Sequence, residues 1–227
     1  MADLTSTHAD IPFRASFLKL VRAQQHLDEF KEVLAAYIAS EIAVPIFDET
    51  ADRPTMTGWQ VRGVPDILSP IMGDIVHNLR SALDLMTCEI CNDYEARFPF
   101  AKNEQELEGM ITKRGFDKAG EAAVRLLREF APYKGGNTEL RAIHDLDIHD
   151  KHKALLPTLG VLGGFSARYI PQPDGPPKAE IKTGPFQLFM PKDTSLGGRE
   201  AVETLEVLVQ TATGVVEAFE RLFVPAG

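Results

Sequence analysis

A mainly α, α+β fold, in which a helical bundle carries a small antiparallel β-sheet, is predicted by three observations. Apolar residues recur at spacings of three and four near both ends of the chain and through its first half. Between about 161 and 190 the apolar spacing changes to two. A chain of 227 residues with 44% hydrophobic content can also bury one continuous core, so residues 1–227 are read as a single domain.

In chain order, Phe13, Leu20, Ala23, Leu27, Phe30, Leu34 and Tyr37 follow the helical seam almost without exception, Ser16 being the interruption. This predicts a long first helix that fades after Ile42, where Val44-Pro45 breaks it. Trp59-Gln60-Val61-Arg62 lies among Pro54, Gly58, Gly63 and Pro65 and predicts a short strand at about 57–62. From Pro65 a second helix is expected, because Leu68, Ile71, Met72, Ile75, Val76, Leu79, Ala82, Leu83, Met86 and Ile90 make one broad apolar face. Two shorter helices are expected over 104–112 and 118–130. The next helix, capped by Asn137 or Thr138, runs toward Pro157. Phe165, Ala167 and Tyr169, then Ala179 and Ile181, then Phe186, Leu188 and Met190 alternate around a Pro-rich turn at 171–177, which predicts a hairpin or meander over about 161–190. Val202, Leu205, Val209, Ala212, Val216, Phe219 and Leu222 predict a last helix from about Gly198.

The 24 basic residues against 33 acidic give a net charge of −9, which opposes attraction to a phosphate backbone, so nucleic acid is not an expected partner. The start of the chain lacks a charged segment followed by an apolar core, and no apolar run approaches membrane-spanning length. A cytosolic protein acting on a small molecule or a protein partner, and forming a homodimer, is the expectation. Cys88 and Cys91, the two cysteines, are spaced CxxC but lie near the end of a helix rather than at its start after a strand. They are read as reduced thiols packed in the bundle.

Four of the six histidines fall in two helical runs, His77 to Asp84 and His144 to Lys153. His77, Arg80 and Asp84 form one polar stripe, and His144, Asp147 and Lys151 repeat its spacing of zero, three and seven. Two facing helices would mate these stripes. Asp150 projects near the centre of the apolar face made by Leu140, Ile143, Leu146 and Ala154, where a carboxylate needs a partner. The expectation is a mostly inaccessible Asp150 held by a basic group or backbone N–H groups; if the cluster is a packing network, Asp150→Asn is expected to melt lower.

The candidate site is therefore His77, Arg80, Asp84, His144, Asp150, Lys151 and His152. Its chemistry is read as hydrolytic or directed at a phosphodiester, with His77 or His152 as acid or base and Arg80 with Lys151 stabilising an anion. The alternative is a noncatalytic interaction protein whose charged cluster fixes helix packing. No cofactor is expected. The alternative there is a divalent transition metal on Asp145, His149 and His152, which share a helix face at zero, four and seven. No P-loop, GxSxG or strand-following GxGxxG occurs.

The ordered motifs Gly73-Asp74-Ile75-Val76-His77-Asn78-Leu79-Arg80-Ser81-Ala82-Leu83-Asp84, Phe98-Pro99, Pro132-Tyr133 and Asp150-Lys151-His152-Lys153 resemble the signature of an uncharacterised group of bacterial and phage-borne proteins. The resemblance spans about 57–156 and brings no stated activity. Members of that group often read Arg-Ser-Ala-Leu-Asp-His, similar to the Arg-x4-6-His ribonuclease motif of the HEPN (higher eukaryotes and prokaryotes nucleotide-binding) helical proteins. The resemblance would imply an HEPN-like ribonuclease relative with a degenerate motif, because Leu85 stands where the histidine would be.

Overall fold

Helix α1, Arg14–Ala39, and helix α2, Leu68–Cys91, are the two long elements on which the rest of the fold is assembled. The computed structural model describes residues 11–40, 42–48, 55–161, 165–172 and 175–224. The start of α1 meets the end of α2, since the Phe13 N–H donates to Glu89 Oε1 at 2.8 Å, so the two helices run antiparallel. Ser16 turns out to be part of the α1 seam: it is buried with Leu20, Ala23, Leu27, Phe30, Leu34 and Tyr37, all on alternating three and four spacings. A small residue there lets the helices approach closely.

The link between α1 and α2 differs from the sequence expectation. Strand β1, Ala43–Asp48, pairs antiparallel with β2, Thr55–Val61, with a bulge between Ile46 and Phe47. Only the second strand was legible, because Pro45 reads as a breaker, although an edge strand tolerates a proline. The Tyr37 hydroxyl donates to the Arg62 carbonyl at 2.7 Å and ties the hairpin base to the end of α1.

After α2 come α3, Glu104–Lys113, and α4, Glu121–Phe130. The single helix expected over 118–130 is divided by Gly120 at φ +89°, so a 3₁₀ turn, Phe116–Ala119, precedes α4. Helix α5, Thr138–His152, starts where expected, with the Asn137 side chain accepting from the Leu140 N–H at 2.8 Å. Next, β3, Thr158–Val161, pairs with β6, Phe186–Phe189, and between them β4, Phe165–Gln172, pairs with β5, Gly175–Thr183. All of these pairings are antiparallel and nested, which is the hairpin alternative. Pro173 and Asp174, at the centre of the expected turn, lie outside the described residues, as do residues 1–5.

Helix α6, Ala201–Phe223, packs against α1, α2 and α5 and begins three residues later than Gly198 suggested, with the Glu200 carboxylate capping the Glu203 N–H. The core runs along α2, where Leu68, Met72, Ile75, Leu79, Leu83 and Met86 are fully buried. It continues through the rings of Phe98, Phe116 and Phe219. Burying such side chains contributes roughly 1.5–3 kcal/mol each, which makes α2 the element the fold can least do without. Among the described residues no helix is long and apolar enough to cross a membrane.

Candidate functional site

Helices α2 and α5 pack side by side and bring the two polar stripes into contact. The contact divides into a buried half and a half open to solvent. In the buried half, Arg80 is only 9% exposed. Its guanidinium grips Asp84 through Nε to Oδ2 at 3.1 Å and Nη2 to Oδ1 at 2.9 Å. Nη1 donates to His144 Nδ1 at 2.8 Å. Arginine has donors only, so His144 Nδ1 accepts and its ring proton sits on Nε2.

Three further contacts close this half. Asp84 Oδ1 also accepts the Phe98 N–H at 2.9 Å, and the His144 ring stacks on Phe100 with centroids 4.9 Å apart. The guanidinium carbon of Arg80 lies 4.6 Å over the same Phe100 ring. Burial, reinforced by the Arg80 and then the Arg141 charge, pushes the His144 pKa down to about 4. At neutral pH this histidine is an uncharged acceptor. Arg80, expected to stabilise an anion, already commits three of its five N–H donors inside the protein.

The open half is built on Asp147, the carboxylate that the candidate set left out. It is 5% exposed and accepts from two side chains of opposite stripes. His77 Nδ1 lies 3.2 Å from Oδ1, and Lys151 Nζ lies 2.5 Å from Oδ2. Both partners reach outward, with side chains 55% and 56% exposed. An ionised carboxylate only accepts, so the proton of a neutral His77 sits on Nδ1 and leaves Nε2 as the free acceptor. Nε2 faces Ser81 Oγ at 3.5 Å. Ser81 in turn lines a cleft of about 670 Å³ between α1 and α2, together with Lys19, Asp84, Leu85, Cys88 and Arg97.

The remaining candidates are placed differently from the sequence reading. Asp150 is half-buried rather than inaccessible, and it lies against the backbone of α2 at Gly73, where an added Cβ would come within 2.5 Å of its carboxylate. The Leu155 backbone N–H is its partner and no basic side chain bonds to it. Burial raises its pKa, with Asp147 and Asp74 adding to the effect. His152 is exposed and makes no hydrogen bond or ion pair to the cluster.

The three alternative metal ligands are also separated. Arg141 holds Asp145 at 2.6 Å while donating to the Ala101 carbonyl at 2.8 Å, and His149 Nε2 turns toward Asp193 Oδ2 at 3.8 Å. Among the described residues no group of three or more His, Cys, Asp or Glu is arranged to hold a metal ion. One helix face at zero, four and seven brings side chains near each other, but Arg141, one turn earlier on that face, holds Asp145, and His149 Nε2 is buried without a hydrogen-bond partner.

Sequence reasoning put Asp147 on the mating stripe, where His77 meets it, but left it out of the candidate set, and it missed Ser81 and Phe100. The signal for Asp147 was available: it shares the stripe of His144 and Lys151 and lies about 60° from Asp150 around the helix. Cys91 is buried, which pushes its thiol up to about 11, and Cys88, half-buried, donates to the Ala96 carbonyl at 3.2 Å. Neither is a ready thiolate at neutral pH. No protein-family model, curated protein or solved structure matches the chain, so its chemistry has to be read from these contacts.

Proposed function

We propose that this protein carries hydrolytic acid–base chemistry at His77. One observation carries the reading: a solvent-reaching imidazole has its Nδ1 held by the buried carboxylate of Asp147 at 3.2 Å while its Nε2 faces Ser81 Oγ, which lines a cleft. A carboxylate behind an imidazole fixes its tautomer and orientation and stabilises the cation that forms when Nε2 takes a proton. Lys151 Nζ on the other oxygen holds the carboxylate in place, so Asp147 orients the ring.

The rest of the cluster supports this division of labour. Arg80 bonds to both Asp84 and His144, and Asp84 also accepts the Phe98 N–H, as in a packing network. With Arg80 and Lys151 each bound to a carboxylate, neither expected anion clamp is unpaired, which favours an uncharged electrophile. Both cysteines are free thiols, which suits a cytosolic setting.

Hydrolysis of p-nitrophenyl acetate by purified wild type, His77→Gln and His152→Gln tests the reading. The His77 variant is expected to lose roughly 100-fold in kcat/KM with an unchanged circular dichroism spectrum, and the His152 variant to keep the wild-type rate. A folded His77→Gln protein as active as wild type would sink it. The whole cluster would then be a packing network, a reading favoured in its buried half by the engaged donors of Arg80.

A further inference from the structure

Ser81 stands one helical turn after His77, and side chains on a helix lean toward its N-terminus, so its hydroxyl falls over the imidazole edge. Two threonines inside the helices turn their hydroxyls back to the carbonyl four residues earlier. Thr87 donates to the Leu83 carbonyl at 2.9 Å and Thr211 to the Val207 carbonyl at 2.7 Å. Ser81 instead faces an imidazole nitrogen, His77 Nε2, at 3.5 Å. The Asp147 contact makes that nitrogen an acceptor, so the hydroxyl is the donor in the pair.

The geometry points to Ser81 as a nucleophile, with His77 and Asp147 behind it as base and orienting carboxylate, acting on an acyl ester bound in the adjoining cleft; this rests on the acid–base reading of His77. The 3.5 Å separation is within the loose range that such pairs show before substrate closes them. The cleft wall bears on the substrate class. It carries Lys19 and Arg97 against Asp84, Glu89 and Asp93, a mixed wall without an excess of positive charge, which suits a neutral ester. Lys19 is set beside the nucleophile, because Asn78, three residues before Ser81 and so on the neighbouring turn, holds its ammonium at 3.3 Å. That ammonium is the nearby positive charge for a developing oxyanion.

In the first step the Ser81 hydroxyl proton passes to His77 Nε2, the oxygen bonds to the ester carbonyl carbon, and the carbonyl electron pair moves onto its oxygen. Collapse of that intermediate expels the alkoxide, which takes the proton from Nε2, and leaves Ser81 acylated. A water molecule then attacks the acyl carbon as its proton goes to Nε2. That proton returns to Ser81 Oγ when the carboxylic acid departs.

The experiment is labelling of the full chain with an alkyl fluorophosphonate, followed by intact mass measurement and peptide mapping, alongside p-nitrophenyl acetate hydrolysis. One phosphonyl group per chain on Ser81 is expected, with labelling roughly 100-fold slower in His77→Gln and no adduct in Ser81→Ala. Ester hydrolysis should fall by a similar factor in both variants. Ser81→Ala keeps a good helix former at a half-exposed position, so loss of folding does not confuse the result. An unlabelled Ser81 with hydrolysis lost in His77→Gln but retained in Ser81→Ala would overturn the nucleophile and leave the acid–base reading standing. Full activity in both variants would overturn both.

Discussion

Asp147 and Asp150 lie three residues apart on one helix and differ in what meets them. Asp147 is gripped by two basic side chains, whereas Asp150 sits between the α2 backbone and a single N–H group. Asp147→Asn keeps the shape but loses a charge-assisted bond on each side, and is expected to lower stability by about 1–3 kcal/mol in urea unfolding. Asp150→Asn retains an oxygen for the Leu155 N–H and removes a charge that burial disfavours. Its melting temperature should therefore equal or exceed that of wild type, the reverse of the sequence expectation. The reversal has a simple source: burial was legible from the helical face, but the identity of the partner depends on which element packs there.

At the scale of elements, the join between α2 and α5 explains why a glycine stands inside a long helix. Gly73 costs helix stability, but its missing side chain is the space that the Asp150 carboxylate occupies. Gly73→Ala gains helix propensity and must displace a carboxylate held by Leu155, so a net loss of about 1–2 kcal/mol is expected. In an Asp150→Ala background the same substitution should become neutral or stabilising, and a double-mutant cycle by chemical denaturation measures the coupling. Equal effects in both backgrounds would show that the two residues do not meet. The resembled signature pairs a Gly-Asp start with an Asp-Lys-His-Lys end, and this contact joins those two motifs physically.

For the whole molecule, acid sensitivity follows from the neutral histidine locked between α2, α5 and the Phe98–Phe100 segment. The His144 pKa is about 4 when folded, against an ordinary 6.5. Between these values the unfolded chain binds a proton that the native protein refuses, so stability is fully present above about 6.5 and declines as pH falls toward about 4. The loss from this group is roughly 2 kcal/mol after allowing for partial exposure of the ring. Asp150, with its pKa raised, acts in the opposite sense, since the native state holds its proton more readily as pH falls. His144→Gln keeps an acceptor for Arg80 without the titration. Its melting temperature should fall less steeply than that of wild type between pH 6.5 and 4, and parallel profiles would rule out His144 as the source.

Periodicity in the sequence determined the helices and the main hairpin, because burial of a stripe is written locally in spacings of three, four or two. It also placed His77, Arg80, Asp84, His144, Asp147 and Lys151 on two matching stripes, and those stripes do meet. Tertiary structure decided which distant groups joined the pairs that lie within one helix, Arg80–Asp84, Arg141–Asp145 and Lys151–Asp147. The Phe98 N–H and the Phe100 ring, from a segment without periodicity, meet Asp84 and Arg80, and His77 and Arg80 reach Asp147 and His144 across the helix join. A side chain's chemistry depends on its partners within hydrogen-bond reach, and partners distant in sequence become neighbours only when the chain has packed.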